Sequence, residues 1–552
     1  MHKSSRFLFP FLAISIVLIV TLACGGTADV SPTNTAPSQG EISPPSENQQ
    51  QPTNPSQPTN TQKPTNTPKP TPIPPTPTPL PIGLSRSNPY PKSELVNASN
   101  WDINVVDMVR GDAAWQAIQA ANQFNDPATD GMEYLLVKIH AKCTYADSDE
   151  HSIGRFDFDL TGDHLIRYSP ASVVTPDPAL DAKLYKDGET EGWVPFAVGT
   201  GEGNLILIFD ELMSFDENSS RFIALDEGAS VTVPPELSGI VPTDLGKTRS
   251  APAAFEDTIV TEDWQVNFLE VVRGEAAWTM VQSANQFNDP PADGMEYVAI
   301  RVHAKYIGTV DKTEQIYGAY FRTTGSENVV YDNPSVVDPE PAFDATLYPG
   351  GESEGWVILQ VAQGETSVMA IFEPLFSFSD TDKRFIALED GASGTVPPEL
   401  SEIVPTDLGK DRSAPAPFGD TIVTEDWQVN FQEVVRGDAA WTMVQVANQF
   451  NDPPADGMEY IALRVHAKYI GTDDKTEQMN GSYFKTTGNA NIVYDNPSVV
   501  DPEPAFDATL YPGGEVDGWV VLQVEKGETG IMAIFEPLFS FTSTDKRFMS
   551  LE

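Results

Sequence analysis

Set against itself at an offset of 163 residues, the chain repeats. Trp101, Trp264 and Trp427 stand one step apart, as do Trp115, Trp278 and Trp441, and Trp193, Trp356 and Trp519; these nine are all its tryptophans. His140, His303 and His466 keep the same step, and so do Phe222, Phe385 and Phe548. Solenoid units usually run to about 20–50 residues, so a period this long marks a tandem array of whole domains. The predicted organisation is a signal peptide over 1–23, a stalk over 24–87, and domains over 88–226, 251–389 and 414–552. Linkers at 227–250 and 390–413 join them.

The N-terminus reads as an export signal. Lys3 and Arg6 precede an apolar run from Phe7 to Leu22, and Thr21-Leu22-Ala23-Cys24-Gly25-Gly26 follows. This segment resembles the lipobox of bacterial lipoproteins, which implies that Cys24 is lipidated and becomes the mature N-terminus. Thr21 stands where that motif usually has leucine, and the alternative is an uncleaved membrane anchor. Both place the rest of the chain outside the cytoplasm, attached to the bacterial cell membrane at one end. From about Gly26 to Ile82 the sequence is Pro, Thr, Ser, Asn and Gln with few large apolar residues. Such a segment is expected to be disordered and biased to polyproline II, reaching on the order of 150 Å at full stretch.

Eighty acidic against 33 basic residues give a formal net charge of −47. A field of that sign repels nucleic acid and anionic lipid, so neither is an expected partner. The two cysteines, Cys24 and Cys143, cannot make a disulfide framework if Cys24 carries lipid. Tyr306 and Tyr469 stand where the first domain has Cys143, so that thiol is no part of a shared function.

Within the second domain, Thr261 to Val272 alternates and reads as a strand, and Ala276 to Phe287 reads as a helix with Ala277, Trp278, Val281 and Ala284 on one face. Asn288-Asp289-Pro290-Pro291 ends it. Glu296 to Tyr306 is the clearest strand, with Val298, Ile300, Val302, Ala304 and Tyr306 facing a core. Shorter strands are expected at 318–323, 328–331, 355–361, 367–372 and 384–388. The predicted fold class is all-β: three tandem immunoglobulin-like β-sandwiches, each with one short inserted helix after its first long strand.

The residues Asp263-Trp264, Val272-Arg273-Gly274-Glu275-Ala276-Ala277-Trp278, Asn285-Gln286-Phe287-Asn288-Asp289-Pro290 and Gly294-Met295-Glu296-Tyr297 are similar to a family pattern. With Pro349-Gly350-Gly351-Glu352 and Gly355-Trp356-Val357, they resemble the telokin-like, immunoprotective-extracellular-protein-like domains of exported bacterial proteins. The resemblance implies an immunoglobulin-like sandwich in each repeat and brings no catalytic residues.

The sequence holds no G-x-S-x-G, no phosphate-binding loop and no H-E-x-x-H. With one recurring histidine per domain, no triad or zinc site is expected, and no cofactor or metal. Three features bear on binding. A cationic row, Lys138-His140-Lys142, Arg301-His303-Lys305 and Arg464-His466-Lys468, could receive an anionic polymer; the alternative is cross-strand pairing with carboxylates. The acidic loop Asp289 to Glu296 could hold Ca²⁺, or serve simply as a turn. The tryptophans could stack on sugar rings if exposed, or fill the core. The functional expectation is a lipid-anchored surface protein acting as a multivalent, non-catalytic binding or adhesion array for a wall polysaccharide or an extracellular protein. The alternative is a structural spacer, and an extracytoplasmic enzyme comes third.

Overall fold

In the computed structural model, the described residues are 80–552 apart from 99, 212–218, 375–381 and 538–544, and they lie in one compact unit. The predicted signal, Cys24 and the stalk as far as residue 79 fall outside them; residues 80–87, which the sequence assigns to the stalk, fold onto the first domain, with the Gly83 carbonyl accepting from the Phe222 N–H at 2.9 Å and Arg86 fully buried. Among the described residues no helix is long and apolar enough to cross a membrane.

The same two-sheet sandwich is built three times. In the second copy one sheet orders Ile259–Val260, Trp264–Arg273, Met295–Tyr306 and Glu352–Ala362, all antiparallel. The facing sheet contains Arg384–Ala387, Met369–Phe372, Phe321–Thr324 and Val329–Tyr331. Alternation does the sorting: Val298, Ile300, Val302, Ala304 and Tyr306 all point into the core with Val266, Phe268, Phe321 and Phe372. A bulge between Phe268 and Glu270 shifts the register of the first long strand.

The helix Glu275–Ala284 lies on the outer face of the first sheet. Ala277 and Val281 are fully buried there against Tyr297, Ala299, Trp356 and Ile358. It is shorter than the sequence suggests and stops before Phe287. Asn285 caps it, and its side-chain oxygen accepts from the Phe287 N–H at 3.0 Å, turning the chain out of the helix before the prolines. Besides the two-residue Ile259–Val260, two strands escape sequence reading, Glu314–Tyr317 and Asp344–Leu347, which pair only with each other in their own domain. Both are short and polar, so their alternation is weak.

The proline-punctuated linkers suggest beads with restricted flexing; the structure joins the domains through shared strand pairing. Val329–Tyr331 of the second domain pairs antiparallel with Asp507–Leu510 of the third, making one six-stranded sheet that crosses the boundary. Between the first and second domains Ile166 bridges Leu347, and the Arg167 N–H donates to the Thr346 carbonyl at 2.8 Å. An arginine from the segment that precedes each domain locks the joint after it. Arg86 stacks 3.6 Å over the Tyr348 ring and pairs with Asp311; Arg249 stacks 3.7 Å over Tyr511 and pairs with Asp474. Both arginines are fully buried.

Candidate functional site: a repeated exposed aromatic

The cationic row lies where the sequence puts it, on the wet face of the central strand, and each member faces an acid on the next strand. Lys138 meets Glu191 at 2.5 Å, while His140 and Lys142 share Glu189 at 3.3 and 3.4 Å. In the second domain Arg301 pairs with Glu354, and His303 and Lys305 share Glu352 at 3.2 and 2.9 Å. In the third, Arg464 meets Asp517 at 2.7 Å, and His466 and Lys468 share Glu515 at 3.5 and 2.9 Å. The Lys305 ammonium, bonded to Glu352, holds that carboxyl below the usual carboxylate range, and His303 adds to the effect. Every cation in the row has a carboxylate within 4 Å, so its outward field is largely cancelled.

The tryptophans are not the presented aromatics. Trp101, Trp264 and Trp427 are core residues. Trp278 and Trp441 pack at the edge of the helix cluster beside Tyr297 and Tyr460. Among the described residues no three His, Cys, Asp or Glu side chains come together as a metal site.

What all three domains do present is a phenylalanine that sequence reasoning folded into the helix. Phe124, Phe287 and Phe450 are 81%, 82% and 82% exposed, and Val174, Val337 and Val500 are 50%, 53% and 50% exposed. The loop is firmly held from below. In the second domain Asn288 donates to the carbonyls of Val281, at the helix end, and Val337, while its oxygen accepts from the Val337 N–H at 2.9 Å. Asn125 and Asn451 make the same three bonds to Ile118 and Val174, and to Val444 and Val500. The asparagine thus ties the chain beside the phenylalanine to the exposed valine. The Tyr297 hydroxyl adds a bond to the Asp289 carbonyl at 3.0 Å, steadying the acidic turn. The arrangement supplies no nucleophile or general base; it offers a flat apolar face on a braced loop, three times over. The signal was in the sequence, since Asn-Gln-Phe-Asn-Asp-Pro recurs in every copy, but only the Asn-capped exit turns its ring to water.

A second repeated constellation is structural. Glu202, Glu365 and Glu528 are buried, each accepting from a tyrosine hydroxyl: Tyr168, Tyr331 and Tyr494 at 2.7, 2.7 and 3.1 Å. Gly325 leaves the room for this, because a Cβ there would stand 2.6 Å from Glu365 Cγ.

No family model matches this chain, and no curated protein matches it. Among solved structures it is similar to the Bacillus subtilis candidate lipoprotein ycdA, at 15% identity and a TM-score of 0.19, over 24% of this chain and 38% of that one. It is also similar to the Bacillus subtilis protein yjhA, at 11% identity and a TM-score of 0.19, over 25% of this chain and 99% of that one.

Proposed function

We propose that this chain is a lipid-anchored bacterial surface protein whose three telokin-like sandwiches form a non-catalytic, multivalent binding array, with Phe124, Phe287 and Phe450 as the contact residues. The observation that carries this reading is the recurrence of one exposed phenylalanine, with its valine neighbour, at the same place in every domain. An exposed large apolar side chain on a braced loop gains nothing for folding, and exposed apolar patches mark interaction sites. The ligand class is a neutral or amino-bearing wall polysaccharide. An aromatic face suits the apolar face of a sugar ring, whereas a chain of net charge −47 with its cationic row neutralised repels an anionic polymer. Each contact is weak alone, and three on one tether gain avidity.

Co-sedimentation of the chain with purified wall glycans and whole envelopes tests this. Retention is expected for the unchanged chain, and its loss for the triple variant Phe124→Ser, Phe287→Ser, Phe450→Ser. Arg301→Ala, His303→Ala is expected to sediment as the unchanged chain does. If the triple variant is retained equally, the phenylalanines are not the contact. If the unchanged chain is retained by nothing, the spacer reading stands instead, and the sheet shared between domains favours it.

A further inference from the structure

Each joint between domains has two halves, a socket on the earlier domain and a loop on the later one, and each half also occurs once unused. The socket is a short extended segment, a strand in the second and third domains and isolated bridges in the first, that follows a residue at positive φ, Leu165 (60°), Asn328 (59°) or Asn491 (63°), together with the arginine that precedes each domain, Arg86, Arg249 or Arg412. The loop is a strand followed by a tyrosine and a glycine turn: Asp181–Leu184 with Tyr185, Asp344–Leu347 with Tyr348, and Asp507–Leu510 with Tyr511. Socket one holds loop two, and socket two holds loop three. Among the described residues no loop fills socket three and no socket holds loop one.

The leftover halves are exposed where the used ones are buried. Tyr348 and Tyr511 are 4% and 1% exposed, and Tyr185 is 62% exposed; Val330 in the used socket is 6% exposed, and its counterpart Val493 is 55% exposed. Val493–Tyr494 is an edge strand of its sheet, and Asp181–Leu184 pairs only with His151–Gly154. The empty socket is already set. Arg412 donates to the Asn491 side chain at 2.6 Å, as Arg249 does to Asn328 at 2.7 Å. Its Nε is buried without an acceptor, whereas Arg249 Nε donates to Asp474 at 2.9 Å. Loop one keeps one of the two glycines that approach the socket, with Asp187 where the used loops have Gly350 and Gly513. A Cβ on Gly351 or Gly514 would stand 2.7 or 2.6 Å from the carbonyl oxygen of the facing socket residue, and Gly188 occupies that position in loop one. Ser148, between Asp147 and Asp149, stands where the other loops carry the arginine's partner, Asp311 or Asp474.

We propose that the third domain's socket receives the Tyr185 loop of a second copy, so that chains associate head to tail through a joint of the kind they already make twice internally. Edge strands seek such pairing, and a heterologous contact of this type propagates instead of closing into a dimer. Within the chain the linker supplies a high effective concentration; between chains the joint must also offset lost translational freedom, so association is weak in dilute solution and favoured at the density of a crowded surface.

The Val330–Thr509 register of the internal joint places Val493 of one chain opposite Lys183 of the other. Full-length Val493→Cys and Lys183→Cys, purified separately in detergent, mixed and oxidised, are expected to form a mixed disulfide. Val493→Cys mixed with Val174→Cys, on the remote phenylalanine loop, is the control and should not. Sedimentation of the unsubstituted chain over roughly a hundredfold concentration range should show its mass rising, and Val493→Lys should abolish the rise. No cross-linking beyond the control pair, or a mass independent of concentration, overturns the proposal. Neither outcome bears on glycan retention by the phenylalanines.

Discussion

At residue scale the three copies differ most usefully where the first exchanges a large residue for a small one. Trp264 packs on Tyr306 with ring centroids 5.2 Å apart, and Gly308 leaves room for that tyrosine: a Cβ there would stand 2.3 Å from its hydroxyl. The first domain has Cys143 and Tyr145 at these positions, and Tyr145 supplies the ring, 6.1 Å edge-on to Trp101. Cys143→Tyr alone is therefore expected to overpack and destabilise by about 2 kcal/mol. Cys143→Tyr with Tyr145→Gly should recover most of that in a double-mutant cycle; additive losses in denaturant melts would refute the exchange. Asp338 and Asp501 give a second prediction. Burial pushes both carboxyls up to about 6, against a backbone N–H donated by Ile358 or Val521. Their folded values lie above the ordinary ~3.9, so the folded state binds the proton more tightly and stability falls as pH rises from about 4 to 6. Asp338→Asn with Asp501→Asn should flatten that fall and raise Tm at neutral pH by a few degrees, on the order of 1 kcal/mol per site. An unchanged pH profile of Tm counts against it.

Among the elements, the long strands and the helix are legible because their apolar period is strong: Val298 to Tyr306 alternates without a break, and Ala277 and Val281 fall on one face. The joints are not legible. Arg249 and Asp474 are 225 residues apart, and although Val329–Tyr331 lies in a stretch the sequence marks as a strand, nothing local says that it pairs with Asp507–Leu510 of the next domain. The phenylalanine escaped for another reason: period 3.6 carries on through Asn285, and the side chains of Asn285 and Asn288 together end the helix. The joint can be broken through its glycine. Gly514→Ala would place a Cβ 2.6 Å from the Asn328 carbonyl oxygen, backbone that cannot step aside. It is expected to part the shared sheet while leaving each sandwich folded. Scattering should then show a larger radius of gyration with unchanged far-UV circular dichroism; an unchanged radius would show that the joint tolerates the methyl.

For the whole molecule, the repeat said how many domains to expect and the composition said they would be acidic, but neither says which surface works. The cationic row admits two readings in sequence, a binding stripe or cross-strand pairing, because sequence displays cations without their partners; Glu189, Glu352 and Glu515 lie 47 residues beyond Lys142, Lys305 and Lys468 and meet them in the folded sheet. The repeated phenylalanine becomes visible only when burial is known.

The joints also set how the chain yields when pulled. Each is held by a couple of backbone pairings and one stacked arginine, whereas inside a sandwich Met295–Tyr306 is zipped along nearly its whole length to Glu352–Ala362. Tension applied along the chain is therefore expected to open the joints first. Each opening frees the middle of a linker, such as 395–405, whose flanks stay bonded to the two domains, lengthening the molecule by up to roughly 40 Å with no domain unfolded. The joint closes again when the load drops, so the protein behaves as a spring with two catches.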